Sequence, residues 1–171
     1  MLIRSADESD LPEILAIYND IVANSTAVYR DQPVTLEERL AWFRSRTESS
    51  YPILVACAEL ACEESLSPTH IVGFSTFGDF RSGSGYRFTA EHTVHVHAAQ
   101  RGRGIGTKLL LALLPHAQRL GKHTLIGGVD AENTASVRFH ERLGFERVGH
   151  LRQVGFKFDR WLDLILLQRH L

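Results

Sequence analysis

The sequence predicts one α+β (mixed α/β) domain spanning residues 1–171, and three observations predict it. Two stretches near the start repeat apolar residues at helical spacing. Short, continuous apolar runs of strand length follow them. Glycine and asparagine then punctuate the second half at strand–helix junctions. A chain of 171 residues suits one domain and buries a sizeable core without disulfides or a metal.

The elements follow in order. Residues 2–5 form a short first strand. Asp7, with Asp10 three residues later and then Pro12, marks a helix start. Leu11, Ile14, Leu15, Tyr18, Ile21 and Val22 make its apolar face. A second helix is expected over Thr35 to Arg46, with Leu36, Leu40 and Phe43 inward and Glu37, Glu38 and Arg39 outward. Strands are expected over Pro52–Ala58, Ile71–Phe77 and Thr89–His97, with surface loops over Glu59–Thr69 and Asp79–Tyr86. A glycine-rich turn at 100–106 opens a helix that runs to about Leu120, where Gly121 closes it; Pro115 inside predicts a kink. Thr124–Val129 reads as a strand. Asn133 caps a short helix to Leu143, stopped by Gly144. Two strands, about Glu146–Arg152 and Phe158–Gln168, complete the domain.

Composition narrows the function. The chain is 44% hydrophobic and 23% charged, with a formal net charge of -1. No global basic field draws nucleic acid or a membrane surface, so anion binding calls for a local cluster. The two cysteines, Cys57 and Cys62, form no CxxC pair and read as ordinary thiols in a reducing compartment. The N-terminus has no charged region followed by a long apolar run, and no stretch reaches membrane-span length. A cytoplasmic protein is expected.

The strongest chemical signal is Arg101-Gly102-Arg103-Gly104-Ile105-Gly106. It follows a strand and opens a helix, where the first N–H groups lack partners and the helix dipole adds positive potential. The glycines allow close backbone approach, and two arginines add charge. This suits a phosphate or pyrophosphate. Two competing motifs fail. A Walker loop needs Gly-Lys-Ser/Thr, whereas Gly106-Thr107-Lys108 has another order. A dinucleotide fingerprint needs GxGxxG on a first βαβ unit with an acidic residue about twenty positions on. Taken alone, the turn is equally a tight junction with solvated arginines.

The wider pattern decides between these. The turn resembles the Arg/Gln-x-x-Gly-x-Gly/Ala loop of the GNAT superfamily. Asn133-Thr134-Ala135-Ser136 leading into Phe139-His140-Glu141-Arg142-Leu143-Gly144-Phe145 resembles that superfamily's second conserved segment, and Ile3-Arg4 through Asn19 resembles its opening. Within it, the chain is most similar to the phosphinothricin and methionine sulfoximine acetyltransferase group. The supporting stretches are Asn24–Tyr29, Gly78–Arg81, Tyr86–Val96 and Gly155–Asp163. His95 stands where that group usually has tyrosine, and Arg81 follows Phe80 where tryptophan is common.

The resemblance implies a GNAT-like fold, with a central, mostly antiparallel twisted sheet of six to seven strands flanked by about four helices. It implies acetyl-CoA as cosubstrate, a small amino-acid-like amine as acceptor, and a homodimer. Thr107, Asn133 and Ser136 join the turn as coenzyme A contacts, and the backbone of Val94, His95 and Val96 pairs with the pantetheine arm.

The chemistry needs a base, because an ammonium is not nucleophilic. Glu91 is the candidate. It shares a strand face with Thr93, His95 and His97, while His92, Val94 and Val96 face the other way. Its alternative is a surface salt bridge. His140 occupies the place of the tyrosine that many relatives use to protonate the thiolate, and imidazole suits that task near neutral pH. Arg81, with Ser82 and Gly83 beside it and Arg87 as a second candidate, suits a carboxylate clamp. Thr93, His92 and Tyr29 complete the expected substrate contacts. His92, His95 and His97 lack a cysteine or carboxylate at ligand spacing, so no metal is expected. Competing readings are a protein N-terminal or lysine acetyltransferase and a coenzyme-A-binding sensor without turnover.

Overall fold

The computed structural model describes residues 1–59 and 69–171. Cys62 and the interior of the loop expected between Glu59 and Thr69 lie outside them. The elements are β1 (Leu2–Ser5), α1 (Leu11–Asn24), α2 (Leu36–Glu48), β2 (Ile53–Glu59), β3 (Thr69–Asp79), β4 (Thr89–Val96), α3 (Ile105–Arg119), β5 (Thr124–Asp130), α4 (Thr134–Arg142), β6 (Glu146–Lys157) and β7 (Arg160–His170). The strands form a seven-stranded sheet in the order β1-β2-β3-β4-β5-β7-β6. Pairing is antiparallel in β1–β2, β2–β3, β5–β7 and β6–β7. β4 and β5 run parallel, paired at Thr89↔Thr124, Ala90↔Leu125 and Glu91↔Ile126. The mixed α/β class and the mostly antiparallel sheet are therefore as the sequence predicts.

The chain divides into two compact units. The first holds Met1–Tyr18, Val34–Phe77 and Thr93–His116. Here the Asp7–Asp10 signal is a reciprocal capping box ahead of α1. Asp10 also receives both terminal nitrogens of Arg4, at 2.6 and 2.8 Å, which ties β1 to the helix start. Thr35 and Glu38 cap α2 in the same way, with bonds of 3.1 and 2.7 Å. Ile14, Val55, Phe74 and Leu109 are buried in this unit's core.

The inward face of α2 differs from the expected one. Leu36 is 50% exposed and Arg39 only 5%. The Arg39 guanidinium lies 4.0 Å from the Tyr18 ring centroid and 4.6 Å from that of Trp42. A planar, weakly hydrated cation stacked on aromatic faces is an acceptable core residue, which a polar/apolar reading scores as surface.

The second unit holds Asn19–Pro33, Gly78–His92 and Ala117–Leu171. Its β6–β7 hairpin is longer than expected. β6 runs past Arg152 to Lys157, and β7 starts at Arg160 rather than Phe158. Phe158 and Asp159 form the two-residue turn, with φ of 50° and 56°. A register shift between Leu151 and Gly155 absorbs the extra residues of β6. Helix α3 continues through Pro115, and α4 begins at the Asn133 cap.

Candidate active site

The glycine turn belongs to the first unit. At the end of β4, the His97 N–H donates to Val72 O at 2.9 Å, and a 3-10 turn covers Ala98–Gln100. Arg101 Nε donates to Val96 O at 3.2 Å. Gly102 and Gly104 have φ of 77° and 76°, and a Cβ at either would meet nothing within 4 Å. Their requirement is conformational: only glycine holds the left-handed backbone here without strain. Arg101 through Gly104 are exposed, whereas Ile105 is buried and anchors the helix. The Lys108 N–H to Gly104 O bond opens the α3 ladder. The N–H groups of Ile105, Gly106 and Thr107 thus precede it and face the exposed turn. Open glycines, two exposed arginines and a helix N-terminus fit a pyrophosphate. Val94 and Val96 are half-buried. The His95 ring packs on Tyr18 and Phe74, at 5.9 and 5.3 Å between centroids. Burial, reinforced by the positive charges of Arg39 and Arg101, pushes its pKa down to about 4, so this imidazole is neutral at neutral pH.

Glu91 lies in the second unit, on the part of β4 paired with β5. A Cβ placed on Gly128 would come within 3.2 Å of Glu91 Oε1 and 3.5 Å of Leu164 Cδ1. Gly128 is exposed although its neighbours Gly127 and Val129 are buried. The Glu91 carboxyl therefore stands over a small open floor. As a whole residue Glu91 is exposed, yet surrounding protein strips enough water from the carboxyl to push its pKa upward. Local hydration of the carboxyl, rather than total exposure, governs proton affinity.

On the other side of β5 sit two imidazoles. A Cβ on Gly127 would lie 2.9 Å from His92 Nε2 and 3.2 Å from His140 Nε2. The two rings are 5.1 Å apart and tilted by 32°, and each meets Phe145 at 5.3 Å. Gly127 and Gly128 are consecutive strand residues, so their Cβ directions point to opposite faces. Glu91 and His140 accordingly approach the sheet from opposite faces. His140 Nδ1 is 2.7 Å from Ser136 O. A carbonyl only accepts, so Nδ1 carries the hydrogen and Nε2 is left as the titrating atom. Burial lowers the His140 pKa, opposed by the Ser136 carbonyl. Asn133 Oδ1 accepts from Ser136 N at 3.0 Å, fixing the first turn of α4.

The family model described as acetyltransferase (GNAT) family matches residues 14–145. The chain belongs to that family. It is 46% identical over 169 residues to the L-methionine sulfoximine/L-methionine sulfone acetyltransferase of Pseudomonas aeruginosa, covering 99% of this chain and 94% of that protein. The yncA structure from Salmonella typhimurium, solved with its cofactor acetyl-CoA, has a TM-score of 0.90 and 42% identity, covering 99% of this chain and 93% of that one. A phosphinothricin acetyltransferase from Sinorhizobium meliloti, in complex with acetyl-CoA, has a TM-score of 0.92 and 32% identity, covering 99% and 88%. The protein is thus an acetyltransferase, and acetyl-CoA is its cosubstrate.

The remaining residues singled out in this acetyltransferase fall on two segments of the second unit. Arg81, Ser82 and Gly83 are exposed. The Arg81 guanidinium lies 5.0 Å from the Phe80 ring centroid. Arg87 is tied back to Ser84 O at 2.8 Å and lies over Phe88. The Tyr29 hydroxyl donates to Asp163 O at 2.9 Å, and its ring is pressed on Gly155, where a Cβ would lie 2.3 Å from Cδ2. Burial, then the negative charges of Asp130 and Asp163, push the Tyr29 pKa up to about 12. Thr93 is half-buried on the first-unit part of β4.

Three residues escaped the sequence reading. Gly127 and Gly128 shape both faces of β5; two glycines inside a strand are a signal of close approach. Lys157 is buried, with Nζ donating to Val22, Ser25 and Val28 carbonyls at 2.6, 2.8 and 2.9 Å. It fastens the segment between α1 and Tyr29, and nothing in a lone strand lysine announces that. Among the described residues, no group of three or more His, Cys, Asp or Glu is placed to hold a metal. No described helix is long and apolar enough to cross a membrane.

Proposed function

We propose that this acetyltransferase moves the acetyl group of acetyl-CoA to the primary amine of a small amino acid, such as phosphinothricin, methionine sulfoximine or methionine sulfone. The attack is direct, in a ternary complex, with Glu91 as general base. The carrying observation is the Glu91 carboxyl, set over the open floor of Gly128 with its proton affinity raised by lost hydration. A carboxyl tuned toward neutrality takes a proton from an ammonium, directly or through water, more readily than an ordinary one. The relatives named above support the substrate class.

Acetyl-CoA supplies an acyl group on a thiol leaving group. The chain's own residues do the rest. Arg101, Gly102, Arg103, Gly104, Ile105, Gly106 and Thr107 hold the pyrophosphate. The Val94–Val96 backbone aligns the pantetheine arm, with Asn133 and Ser136 beside it. Alignment of amine and acyl carbon contributes up to ~7–11 kcal/mol. Arg81, with Ser82 and Gly83, clamps the substrate carboxylate, and Arg87 assists. Thr93 and the Tyr29 ring form walls; the Tyr29 hydroxyl is already engaged. The proton released by nitrogen goes to Glu91, and His140 Nε2 is the carrier on the sulfur side. The reading includes one catalytic domain over 1–171, a cytoplasmic setting, a homodimer, and no metal or nucleic acid.

The test is thiol release from acetyl-CoA across amino acids, their sulfoximine, sulfone and phosphinic analogues, polyamines and peptides. Release confined to amino-acid analogues supports the reading. Binding of acetyl-CoA without release for any amine points to a macromolecular acceptor or a sensor. Glu91→Gln is expected to lower kcat by ~10²–10⁴ while leaving acetyl-CoA affinity unchanged. An unchanged kcat removes Glu91 from the mechanism.

A further inference from the structure

We infer that His92 is a positioning residue for His140, the two imidazoles forming one pair seated on Gly127 and serving the sulfur side of acetyl transfer. The inference rests on the acetyl-transfer reading above and adds a residue to it.

The geometry is specific. Both Nε2 atoms converge on the Gly127 Cα, at 2.9 and 3.2 Å from the point a Cβ would occupy. Any side chain there collides with both rings, and the nearest atoms belong to packed, buried imidazoles rather than to flexible chain ends. His92 and His140 are 7% and 5% exposed, so neither ring is a solvated surface group. The pair is oriented from two directions. Ser136 O takes Nδ1–H of His140, and Asn133 fixes Ser136 through its N–H. Phe145 closes both rings on their edges.

Two imidazoles this close hold one proton far more readily than two, since a second positive charge beside the first is opposed at short range in a buried site. The other charged groups on the elements packed here are engaged or directed elsewhere. Glu91 of β4 addresses the opposite face. Asp130 of β5 bonds Thr26. Glu141 of α4 pairs with Arg147 of β6 at 2.9 Å, and Arg138 and Arg142 are exposed. Arg169 of β7 donates to Leu143 O. The proton balance therefore belongs to the pair.

The step balances as follows. The N–C bond forms as the C–S bond breaks; Glu91 receives the proton that nitrogen loses. The proton held at His140 Nε2 passes to the sulfur, and the pair takes a replacement from water. His92 keeps the His140 ring aimed and buffers its charge. The two faces of β5 thus separate proton removal from proton delivery.

The experiment has two arms. In the free protein, histidine side-chain nitrogens are followed by NMR against pH for wild type and His92→Phe, which keeps the ring volume. The expected result is a common transition for both rings in wild type and a displaced His140 midpoint in the variant. In turnover, His92→Phe and Gly127→Ala are each expected to lower kcat roughly tenfold, a fraction of the ~10²–10⁴ that acid–base groups contribute. KM for both substrates and acetyl-CoA affinity stay within about twofold, and the kcat–pH profile shifts. Superimposable His140 titrations and an unshifted kcat–pH profile in a folded His92→Phe protein would overturn the inference. Absence of turnover in wild type would instead sink the functional reading, with the NMR arm still deciding whether the rings form a pair.

Discussion

At the residue scale, Glu91 carries an electrostatic cost that has a measurable sign. Its pKa is raised by lost hydration. The folded state therefore binds that proton more tightly than the unfolded chain does. Below the ordinary carboxylate value both states are protonated and the group contributes nothing. As pH rises through that value and then through the raised folded one, stability is lost, and the full penalty persists above. Glu91→Gln removes the charge. It is expected to raise Tm at pH 7 and to leave Tm unchanged near pH 3.5, while abolishing turnover. A thermal melt at both pH values checks this; a lower Tm at pH 7 would mean the carboxylate is stabilised by its surroundings. The residue itself was legible from its strand position and its chemistry. Gly128 beneath it was not, because a glycine's role depends on what approaches it, and that partner is fixed only by the register Glu91↔Ile126.

At the element scale, caps and glycine stops were readable, since their signals are local. The reciprocal boxes at Asp7–Asp10 and Thr35–Glu38 and the Asn133 cap lie where side-chain type and spacing placed them. The inward face of α2 and the β6–β7 turn were not readable. Arg39 is buried by Tyr18, 21 positions away in the chain. The hairpin turns through Phe158-Asp159, which lacks the Asn-Gly or Asp-Gly signature of a two-residue turn, although both residues have positive φ. That conformation is strained for a residue with a side chain. Asp159→Gly is expected to stabilise the protein by about 1 kcal/mol, or roughly 2–4 °C in Tm. Differential scanning calorimetry is the check. A Tm equal to or below wild type would show that the Asp159 side chain compensates its own backbone.

At the scale of the whole molecule, the order of motifs along the chain was more informative than any single one. The glycine turn alone fitted an anion site or a plain junction; its place between Glu91 and the Asn133–Phe145 segment singled out the family. What order could not convey is the character of the outer edge of the sheet. β6 is a terminal strand of twelve residues. Val154 and Phe156 are 52% and 50% exposed, and Trp161 of β7, paired with Phe156 across the hairpin, is 61% exposed. A long edge carrying apolar side chains is an aggregation hazard unless something covers it. The proposed homodimer provides a cover: a second copy meeting the same surface in an isologous contact. The expected solution mass is then twice the 19.2 kDa of one chain. Val154→Glu combined with Phe156→Glu places two carboxylates in that contact and is expected to return the mass to that of one chain, as read by sedimentation equilibrium. A wild-type mass of 19.2 kDa, or a dimer indifferent to both substitutions, would locate the protecting feature elsewhere on the molecule.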